Sequence, residues 1–236
     1  MNFMSRSFLR AIWMVVLSCV LAGAAAAAAP QSISAQHAIK DDDGDPIANF
    51  TLTAPLAAQL AKLPGQIAVG NPQGDVTLVQ FYDLNCPYCR LAAVDVDKLL
   101  QSDKKLKLVF VPYAVLSVQS VQGALIEMGA SKELTPEQFV EFHRRVYANR
   151  GTIDGPRVLA AAAEMGIDPK RLAAASNTES TLDILRESAT VGGQAGLAAT
   201  PAYIIGGVAI LGHPGLKPLQ RVIQAMRDCG KVVCAR

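Results

Sequence analysis

The chain has 236 residues, of which 51% are hydrophobic and 18% are charged. Its 22 Lys and Arg residues nearly balance its 20 Asp and Glu residues, and this balance argues against a nucleic-acid partner. The length is sufficient for one α/β domain with an insertion.

The first 28 residues have the features of a secretory signal peptide. Arg6 and Arg10 precede an apolar run over residues 11–22, and an alanine tract follows. The apolar run is too short to span a bilayer comfortably, so we expect cleavage near Ala28. Cys19 lies within the run, and a lipoprotein anchor at that residue is an alternative, although the preceding residues match such a site poorly.

Removal of this segment changes both the charge and the cysteine content. It contains two arginines and no acidic residue, so the mature chain has 20 basic and 20 acidic residues. Four of the five cysteines remain. An even number of cysteines is typical of proteins in an oxidising, exported compartment.

Residues 29–65 form an N-terminal segment with weaker signals. Residues 50–52 predict a short strand and residues 56–63 a short helix. The acidic stretch 41–46 lacks the ligand spacing of an EF-hand, and we interpret it as a solvated loop. His37 is predicted to lie on the surface.

The strongest pattern begins at residue 76. Residues 76–82 form an apolar, β-branched and aromatic run that predicts a buried strand. A break at residues 83–85 separates it from a helical pattern. The predicted inward face of that helix carries Leu91, Val94, Leu99 and Leu100.

Two cysteines, Cys86 and Cys89, lie at the start of this helix, with Pro87 at its first position. The positive end of a helix stabilises a thiolate, which is the nucleophilic form of the residue. We therefore predict Cys86 as the attacking thiol and Cys89, one helical turn later, as the resolving thiol. Half a zinc site or a short structural disulfide are the alternatives for an isolated C-x-x-C motif.

Residues 105–112 predict a second strand, which runs parallel to the first because one helical crossover joins them. An all-helical insertion is predicted over about residues 117–190. His143, on one of its amphipathic helices, is predicted to face solvent. Five helices are predicted in it. The first covers residues 120–128 and the last covers residues 181–191. The three between them begin at Thr135, with a capping box completed by Gln138, at Asp154 and at Asp168.

The C-terminal part predicts a hairpin and a closing helix. Pro201 stands at the entrance of an apolar strand, and Gly206-Gly207 predicts the turn to a second strand that ends near Leu211. A helix is predicted over residues 216–226, with His213 in the loop before it.

Cys229 and Cys234 follow in the tail, separated by four residues. In an oxidising compartment we expect them to form a local structural disulfide. A second redox couple that relays electrons to Cys86 and Cys89, or a zinc site built from all four cysteines, remain as alternatives.

Four features of the sequence together resemble the DsbA-like family of the thioredoxin superfamily. They are residues 81–83, the motif at residues 86–90, the helical insertion, and Thr200-Pro201 before a hairpin and final helix. The resemblance covers residues 66–228 and leaves residues 229–236 as a tail. It implies a thioredoxin-like α/β core, a central mixed sheet flanked by helices, with an all-helical insertion. It also implies a cis Thr200–Pro201 bond that packs against the cysteines, binds substrate backbone and excludes metals.

The resemblance also bears on the tuning of the thiols. Pro87-Tyr88 replaces the Pro-His dipeptide of the most oxidising relatives, so the Cys86 thiolate should be less stabilised and the protein a weaker oxidant. Many relatives carry a buried glutamate six residues before the first cysteine. Gln80 occupies that position and cannot titrate, which leaves Asp83 as a possible substitute in proton transfer.

The implied function is that of a periplasmic thiol–disulfide oxidoreductase of a Gram-negative bacterium, with no cofactor, metal or nucleic acid. It would introduce disulfides into unfolded or reduced secreted proteins through Cys86 and Cys89. A membrane redox partner of the DsbB or DsbD/ScsB type would complete the cycle. The alternatives are a disulfide isomerase or reductase of the DsbC, DsbG or ScsC type, and a non-catalytic peptide-binding chaperone.

Overall fold

The computed structural model describes residues 36–235. The predicted signal peptide, including Cys19, lies outside the described residues. No helix within residues 36–235 is long and apolar enough to cross a membrane. The elements are β1 (Asn49–Thr51), α1 (Ala54–Leu60), β2 (Ile67–Gly70), β3 (Val76–Tyr82), α2 (Pro87–Ser102), β4 (Leu106–Pro112), α3 (Val118–Ala130), α4 (Pro136–Ala148), α5 (Gly155–Glu164), α6 (Pro169–Ser176), α7 (Glu179–Gln194), β5 (Ala202–Ile205), β6 (Val208–Leu211) and α8 (Leu216–Cys229).

The strands form one mixed sheet in the order β1-β6-β5-β3-β4-β2. β3 and β4 run parallel, as predicted from the single helical crossover between them, and the other neighbours are antiparallel. β5 lies directly beside β3, with Ala202 opposite Phe81. Because these two strands are antiparallel, the C-terminal end of β3 and the N-terminal end of β5 lie next to each other.

Each face of the sheet packs against its own helices. Leu78 and Tyr82 of β3 belong to a large buried cluster that includes side chains of α2, α4, α5, α6 and α8. Phe81, on the opposite face, packs in a smaller cluster with α1 and α7. This alternation follows from the period of two along a strand, and it buries β3 on both sides.

Most of the predicted elements are confirmed. The strand over residues 76–82 has the predicted bounds, and the hairpin with Gly206-Gly207 at its turn is present. All five helices predicted between β4 and β5 are present, with the Thr135 capping box and with Asp154 and Asp168 as N-caps. The short strand β2, antiparallel to β4, was not predicted.

The predicted inward face of α2 is partly wrong. Leu91 and Val94 are 62% and 57% exposed. The helix is rotated so that Cys89 points inward, and from that cysteine onwards a buried position recurs every three or four residues. Those positions are Cys89, Ala92, Val96 and Leu99.

Several helix ends differ from the prediction, among them those of α7 and α8. α7 continues through Gly192 and Gly193 to Gln194. Gly192 is needed there because a Cβ atom at this position would lie 2.6 Å from the Tyr113 ring. α8 ends at Cys229 and is closed by Gly230 with φ of 69°, so the first tail cysteine belongs to the helix.

Candidate active site

The motif residue Cys86 caps the N-terminus of α2, and Pro87 is the first residue of the helix. The Cys86 backbone N–H donates a hydrogen bond to the Asp83 carbonyl oxygen at 3.1 Å, which closes the turn after β3. The first turn of α2 has N–H groups without helical acceptors, and the positive end of the helix dipole lies there. The sequence thus places Cys86 where a thiolate is stabilised.

The surroundings of Cys86 lower the pKa of its thiol to about 6. The largest cause is a hydrogen bond from the Cys89 thiol to the Cys86 sulfur. Burial opposes the shift, whereas the Thr200 side chain and the backbone N–H groups of Cys89 and Tyr88 favour the thiolate. At neutral pH, Cys86 is therefore mostly ionised and ready to attack.

Cys89 behaves in the opposite way. It is fully buried, and burial together with the adjacent Cys86 sulfur raises the pKa of its thiol well above the ordinary value. Both cysteines are free thiols in this structure. Two sulfurs three residues apart, one favouring the thiolate and the other the thiol, form an asymmetric pair suited to sequential exchange.

The Thr200–Pro201 peptide bond is cis. The Cys86 sulfur lies 3.0 Å from the Thr200 carbonyl oxygen, to which its protonated form donates a hydrogen bond, and the loop before β5 covers the sulfur. As a result Cys86 is only 5% exposed, less open to solvent than a freely reachable nucleophile would be. The structure brings Cys86, Cys89, Thr200 and Pro201 together, as the family resemblance implies.

Asp83 and Gln80, considered for proton transfer, are both buried. The Asp83 carboxylate accepts hydrogen bonds from the backbone N–H groups of Asn85, Val115 and Leu116 and from the Ser120 hydroxyl, at 2.6–2.9 Å. These four donors occupy the carboxylate, and the arrangement fits a structural role. The Gln80 side-chain oxygen is buried and finds no hydrogen-bond partner among residues 36–235.

Two residues beside the motif connect it to the helical insertion. The Asn85 amide donates to the Ile153 carbonyl at 2.8 Å and accepts from the Ile153 N–H at 2.7 Å. The Arg90 guanidinium donates to the carbonyl oxygens of Tyr147 and Asn149 and lies 5.9 Å from the centre of the Tyr147 ring. The insertion therefore supports the motif from both of its ends.

The prediction that His143 faces solvent is wrong. His143 is 3% exposed and lies 2.6 Å from Glu127, whose other carboxylate oxygen accepts a hydrogen bond from Tyr82 at 2.7 Å. The ring also contacts Phe110, Tyr82 and Tyr147. Sequence reasoning missed Glu127, although a single acidic residue inside an apolar helix is a signal for a buried charge with a partner.

The loop position predicted for His213 is confirmed, but its side chain is engaged. The ring lies within hydrogen-bond distance of Tyr203 and Asp95. No pattern in the sequence connects these three residues, because they come from β5, α2 and the loop before α8.

Cys229 and Cys234 form a disulfide with a Cα–Cα distance of 6.0 Å. Near the end of the same helix, Arg227 pairs with Asp103 at the C-terminus of α2. Cys86 lies at the other end of α2, a helix of 16 residues, or about 24 Å. The tail disulfide cannot exchange with Cys86 within one molecule, and the described residues contain no cluster of three or more His, Cys, Asp or Glu that could hold a metal.

The thioredoxin family model matches residues 62–225 of the chain. No curated protein matches the sequence significantly. A solved thioredoxin-like oxidoreductase from Silicibacter pomeroyi DSS-3 is 27% identical, with a TM-score of 0.66, and the match covers 72% of this chain and 97% of that one.

Two further solved structures share the fold. A periplasmic thioredoxin-like protein from Salmonella enterica serovar Typhimurium is 24% identical, with a TM-score of 0.64, over 74% of this chain and 97% of its own. The catalytic domain of Proteus mirabilis ScsC is 20% identical, with a TM-score of 0.63, over 72% of this chain and 94% of its own. Since the family model covers well over half of the sequence and the sheet has the matching architecture, the chain belongs to the thioredoxin family.

Proposed function

We propose that the protein is an exported thiol–disulfide oxidoreductase that introduces disulfides into secreted proteins through Cys86 and Cys89. The observation that carries this proposal is the asymmetric thiol pair at the start of α2. The pKa of Cys86 is lowered to about 6, whereas burial raises that of Cys89. Both thiols lie beside the cis Thr200–Pro201 bond.

The chemistry follows from this asymmetry. In the oxidised protein a substrate thiolate attacks Cys86, the Cys86–Cys89 bond breaks, and the Cys89 sulfur leaves and takes up a proton. A second substrate thiolate then attacks the substrate sulfur of the mixed disulfide. This attack forms the substrate disulfide and releases Cys86 as a thiolate, a good leaving group because its pKa is low.

The surface around the thiols suits an unfolded polypeptide. Large apolar side chains are exposed on α2 after Cys86, on the loop that Asp83 holds and at the start of α3. Exposed apolar surface of this kind marks an interaction site. The side chains are Tyr88, Leu91, Val94, Val115, Leu116 and Val118.

An exported location is supported by the signal-like segment over residues 1–28 and by the tail disulfide, which requires an oxidising compartment. The Salmonella structure with the same fold is described as periplasmic. In the periplasm, a membrane partner of the DsbB or DsbD/ScsB type would return the Cys86–Cys89 pair to its working redox state.

One observation favours oxidation over isomerisation. Isomerases of this superfamily usually oligomerise through an N-terminal region, but here the N-terminal segment contributes a strand to the central sheet. β1 pairs with β6, and Leu60 of α1 packs in the cluster on one sheet face. An isomerase or reductase of the DsbC, DsbG or ScsC type is the second candidate.

The test is refolding of reduced ribonuclease in a glutathione buffer. Cys86→Ala should abolish the acceleration given by the wild type, because the attacking sulfur is lost. The matched control, Cys229→Ser with Cys234→Ser, should retain it. If Cys86→Ala retained full activity, the protein would be a peptide-binding chaperone and not a redox enzyme.

The reduction potential separates oxidase from reductase. Thioredoxin, with a cysteine pKa of about 7, has a potential of about −270 mV, and DsbA, with a pKa of about 3.5, one of about −120 mV. A Cys86 pKa of about 6 lies between these two values, so we expect a potential between about −270 and about −120 mV. Equilibration with glutathione measures this value, and a potential below that of thioredoxin would favour the reductase alternative.

A further inference from the structure

The Asp83 carboxylate connects two segments that are far apart in the sequence. One of its oxygens accepts a hydrogen bond from the Asn85 N–H at 2.8 Å. The other accepts from the backbone N–H groups of Val115 and Leu116, both at 2.9 Å, in the loop between β4 and α3. Asn85 immediately precedes Cys86, so a single side chain separates the turn that leads to the attacking sulfur from this β4–α3 loop.

The side chains that the β4–α3 loop presents are apolar and exposed. Val115 and Leu116 are 47% and 54% exposed, although burial of such side chains is favourable. The sequence has no charged residue from position 108 to position 126. The loop therefore offers an uncharged, apolar surface, which suits an apolar partner better than a charged one.

The hydrogen bonds of the loop to Asp83 are not needed to begin the next helix. Ser117 already caps α3, since its hydroxyl accepts from the Ser120 N–H at 3.0 Å. Asp83 is 1% exposed, and a buried carboxylate is costly unless hydrogen bonds offset its lost hydration. The protein thus maintains a buried charge that fixes the backbone of a loop whose apolar side chains face outward.

We propose that Asp83 is a positioning residue for the polypeptide substrate, and that the loop it fixes binds an apolar segment beside the reacting cysteine of that substrate. The Asp83 carbonyl oxygen also accepts from the Cys86 N–H at 3.1 Å and from the Tyr147 hydroxyl at 3.2 Å. One residue therefore sets the position of both the motif and the loop. This role rests on the proposed function and specifies its substrates as reduced polypeptides with apolar residues near a cysteine.

The reach of an extended substrate agrees with this role. Four residues of extended chain span about 13 Å. The path from the Asn85 nitrogen through the Asp83 carboxylate to the Val115 nitrogen is shorter, since it consists of one carboxylate and two hydrogen bonds of 2.8 and 2.9 Å. A substrate residue a few positions from a cysteine bonded to Cys86 can therefore contact the loop.

The exposed apolar side chains of α2 have different surroundings. They lie on a helix that carries charged residues between and beside them, and its surface therefore combines apolar and polar contacts. These charged residues are Arg90, Asp95, Asp97 and Lys98. The β4–α3 loop, which has no charge, should thus contribute more than α2 to the choice between apolar and polar polypeptides.

The test follows the reduction of the oxidised mature protein by three probes. Two are synthetic dithiol peptides of equal length and cysteine spacing, one with Leu and Val around its cysteines and one with Ser and Gln in the same places. The third is reduced glutathione. In each reaction two probe thiols become a disulfide, and the sulfurs of Cys86 and Cys89 gain two electrons and two protons. Acid quenching, alkylation and intact-mass measurement give the rates.

The wild type should react with the apolar peptide about tenfold faster than with the polar peptide, since a single apolar contact gives discrimination of this order. Val115→Ser with Leu116→Ser should reduce this ratio to about twofold, the part left to α2. Both side chains are exposed, so this loop variant should fold normally. The loss should appear as a higher half-saturating concentration of the apolar peptide at an unchanged maximal rate, because the loop binds the substrate and does not react.

Asp83→Ser should lower the ratio to the same extent, although both apolar side chains are still present. The serine hydroxyl can accept from the Asn85 N–H, as it does in turns of this type, but it is too short to serve the loop as well. Asp83→Asn should restore most of the ratio. Its amide oxygen can accept from Val115 and Leu116 while its NH2 group donates to Ser120, whose hydroxyl can reverse.

Glutathione and two matched variants are the controls. The glutathione rate should stay within about threefold of the wild-type rate in every variant, because a small thiol does not extend to the loop. Val233→Ser removes an exposed valine of the tail, and Asn49→Ala removes a buried side chain that holds the backbone of His37 and Ile47. Both variants should keep the wild-type ratio between the peptides.

A wild-type ratio in the loop variant would overturn binding at the loop. If that variant also dissociated a dimer in sedimentation, the loop would instead be a contact between two copies of the chain. A wild-type ratio in Asp83→Ser, or an equal loss in Asp83→Ser and Asp83→Asn, would overturn positioning by Asp83. A wild type that oxidises neither peptide nor glutathione would overturn the proposed function itself.

Discussion

The two cysteine pairs of this protein occupy opposite ends of helices. Cys86 caps the N-terminus of α2, where the helix dipole is positive, and Cys229 is the last residue of α8, where it is negative. The first pair is present as free thiols and the second as a disulfide. Position on the helix therefore places Cys86 where a thiolate is stabilised and Cys229 where it is not.

Their partners reinforce the difference. Around Cys86, hydrogen bonds from the Cys89 thiol and from the backbone N–H groups of Cys89 and Tyr88 lower the pKa of the thiol. Near the tail pair, Arg227 is held between Asp75 and Asp103, and Val232, between the two cysteines, is buried in the large cluster. The first environment stabilises a charge on sulfur, and the second anchors the chain end.

The largest expected effect concerns the stability of the reduced protein. The pKa of Cys86 is lowered from about 8.5 in the unfolded chain to about 6 in the folded protein. A lowered pKa stabilises the fold above the unfolded value, and this stability is lost as the pH falls through 6. Between pH 5.5 and pH 8 the reduced wild type should gain about 2.5 kcal/mol in its free energy of unfolding relative to reduced Cys86→Ser.

Urea denaturation at the two pH values measures this gain, and Cys86→Ser cancels the contribution of every other titrating group. Cys89 has the opposite effect, but only above about pH 8.5. Its pKa is raised in the folded protein, so its thiol ionises first in the unfolded chain, and the free energy of unfolding then falls as the pH rises. A wild type and Cys86→Ser that respond equally to pH would remove the electrostatic contrast between the two pairs.

The features that sequence predicted well are those fixed by neighbouring residues. Residues 76–82 are apolar without interruption, and a strand buried on both faces needs such a run. Cys86, Pro87 and Cys89 lie within one helical turn, so their relation to the helix start is local. The Thr135 capping box is likewise contained within four residues.

The features that sequence missed depend on contacts between distant segments. β2 has only four residues, and its pairing with β4 defines it as a strand. The charged residues that flank His143 predict a surface position, yet its helix turns it towards Glu127, 16 residues earlier. His213 and Asp95 are 118 residues apart in the chain. Their contact follows from the packing of α2 against the loop after β6.

A second, slightly smaller effect concerns the tail. Cys229→Ser with Cys234→Ser should lower the free energy of unfolding of the oxidised protein by about 2 kcal/mol, as expected for a short closed loop. The reduction potential of the Cys86–Cys89 pair should not change, because α2 separates the two sites. Urea denaturation and glutathione equilibration measure the two quantities. A changed potential would mean that the pairs are coupled, against the geometry described above.

The smallest effect is a difference in reactivity within the fully reduced protein. At pH 5.5 about a quarter of Cys86 is thiolate if its pKa is about 6, compared with about 0.1% of an ordinary cysteine. The lower nucleophilicity of a low-pKa thiolate reduces this advantage about tenfold. Iodoacetamide should therefore modify Cys86 faster than Cys229, by at most about 20-fold because the loop before β5 covers the Cys86 sulfur, and the fully buried Cys89 should be slowest. Peptide mass mapping of briefly labelled protein assigns each rate. Equal rates at Cys86 and Cys229 would mean that the start of α2 gives its sulfur no advantage over the end of α8.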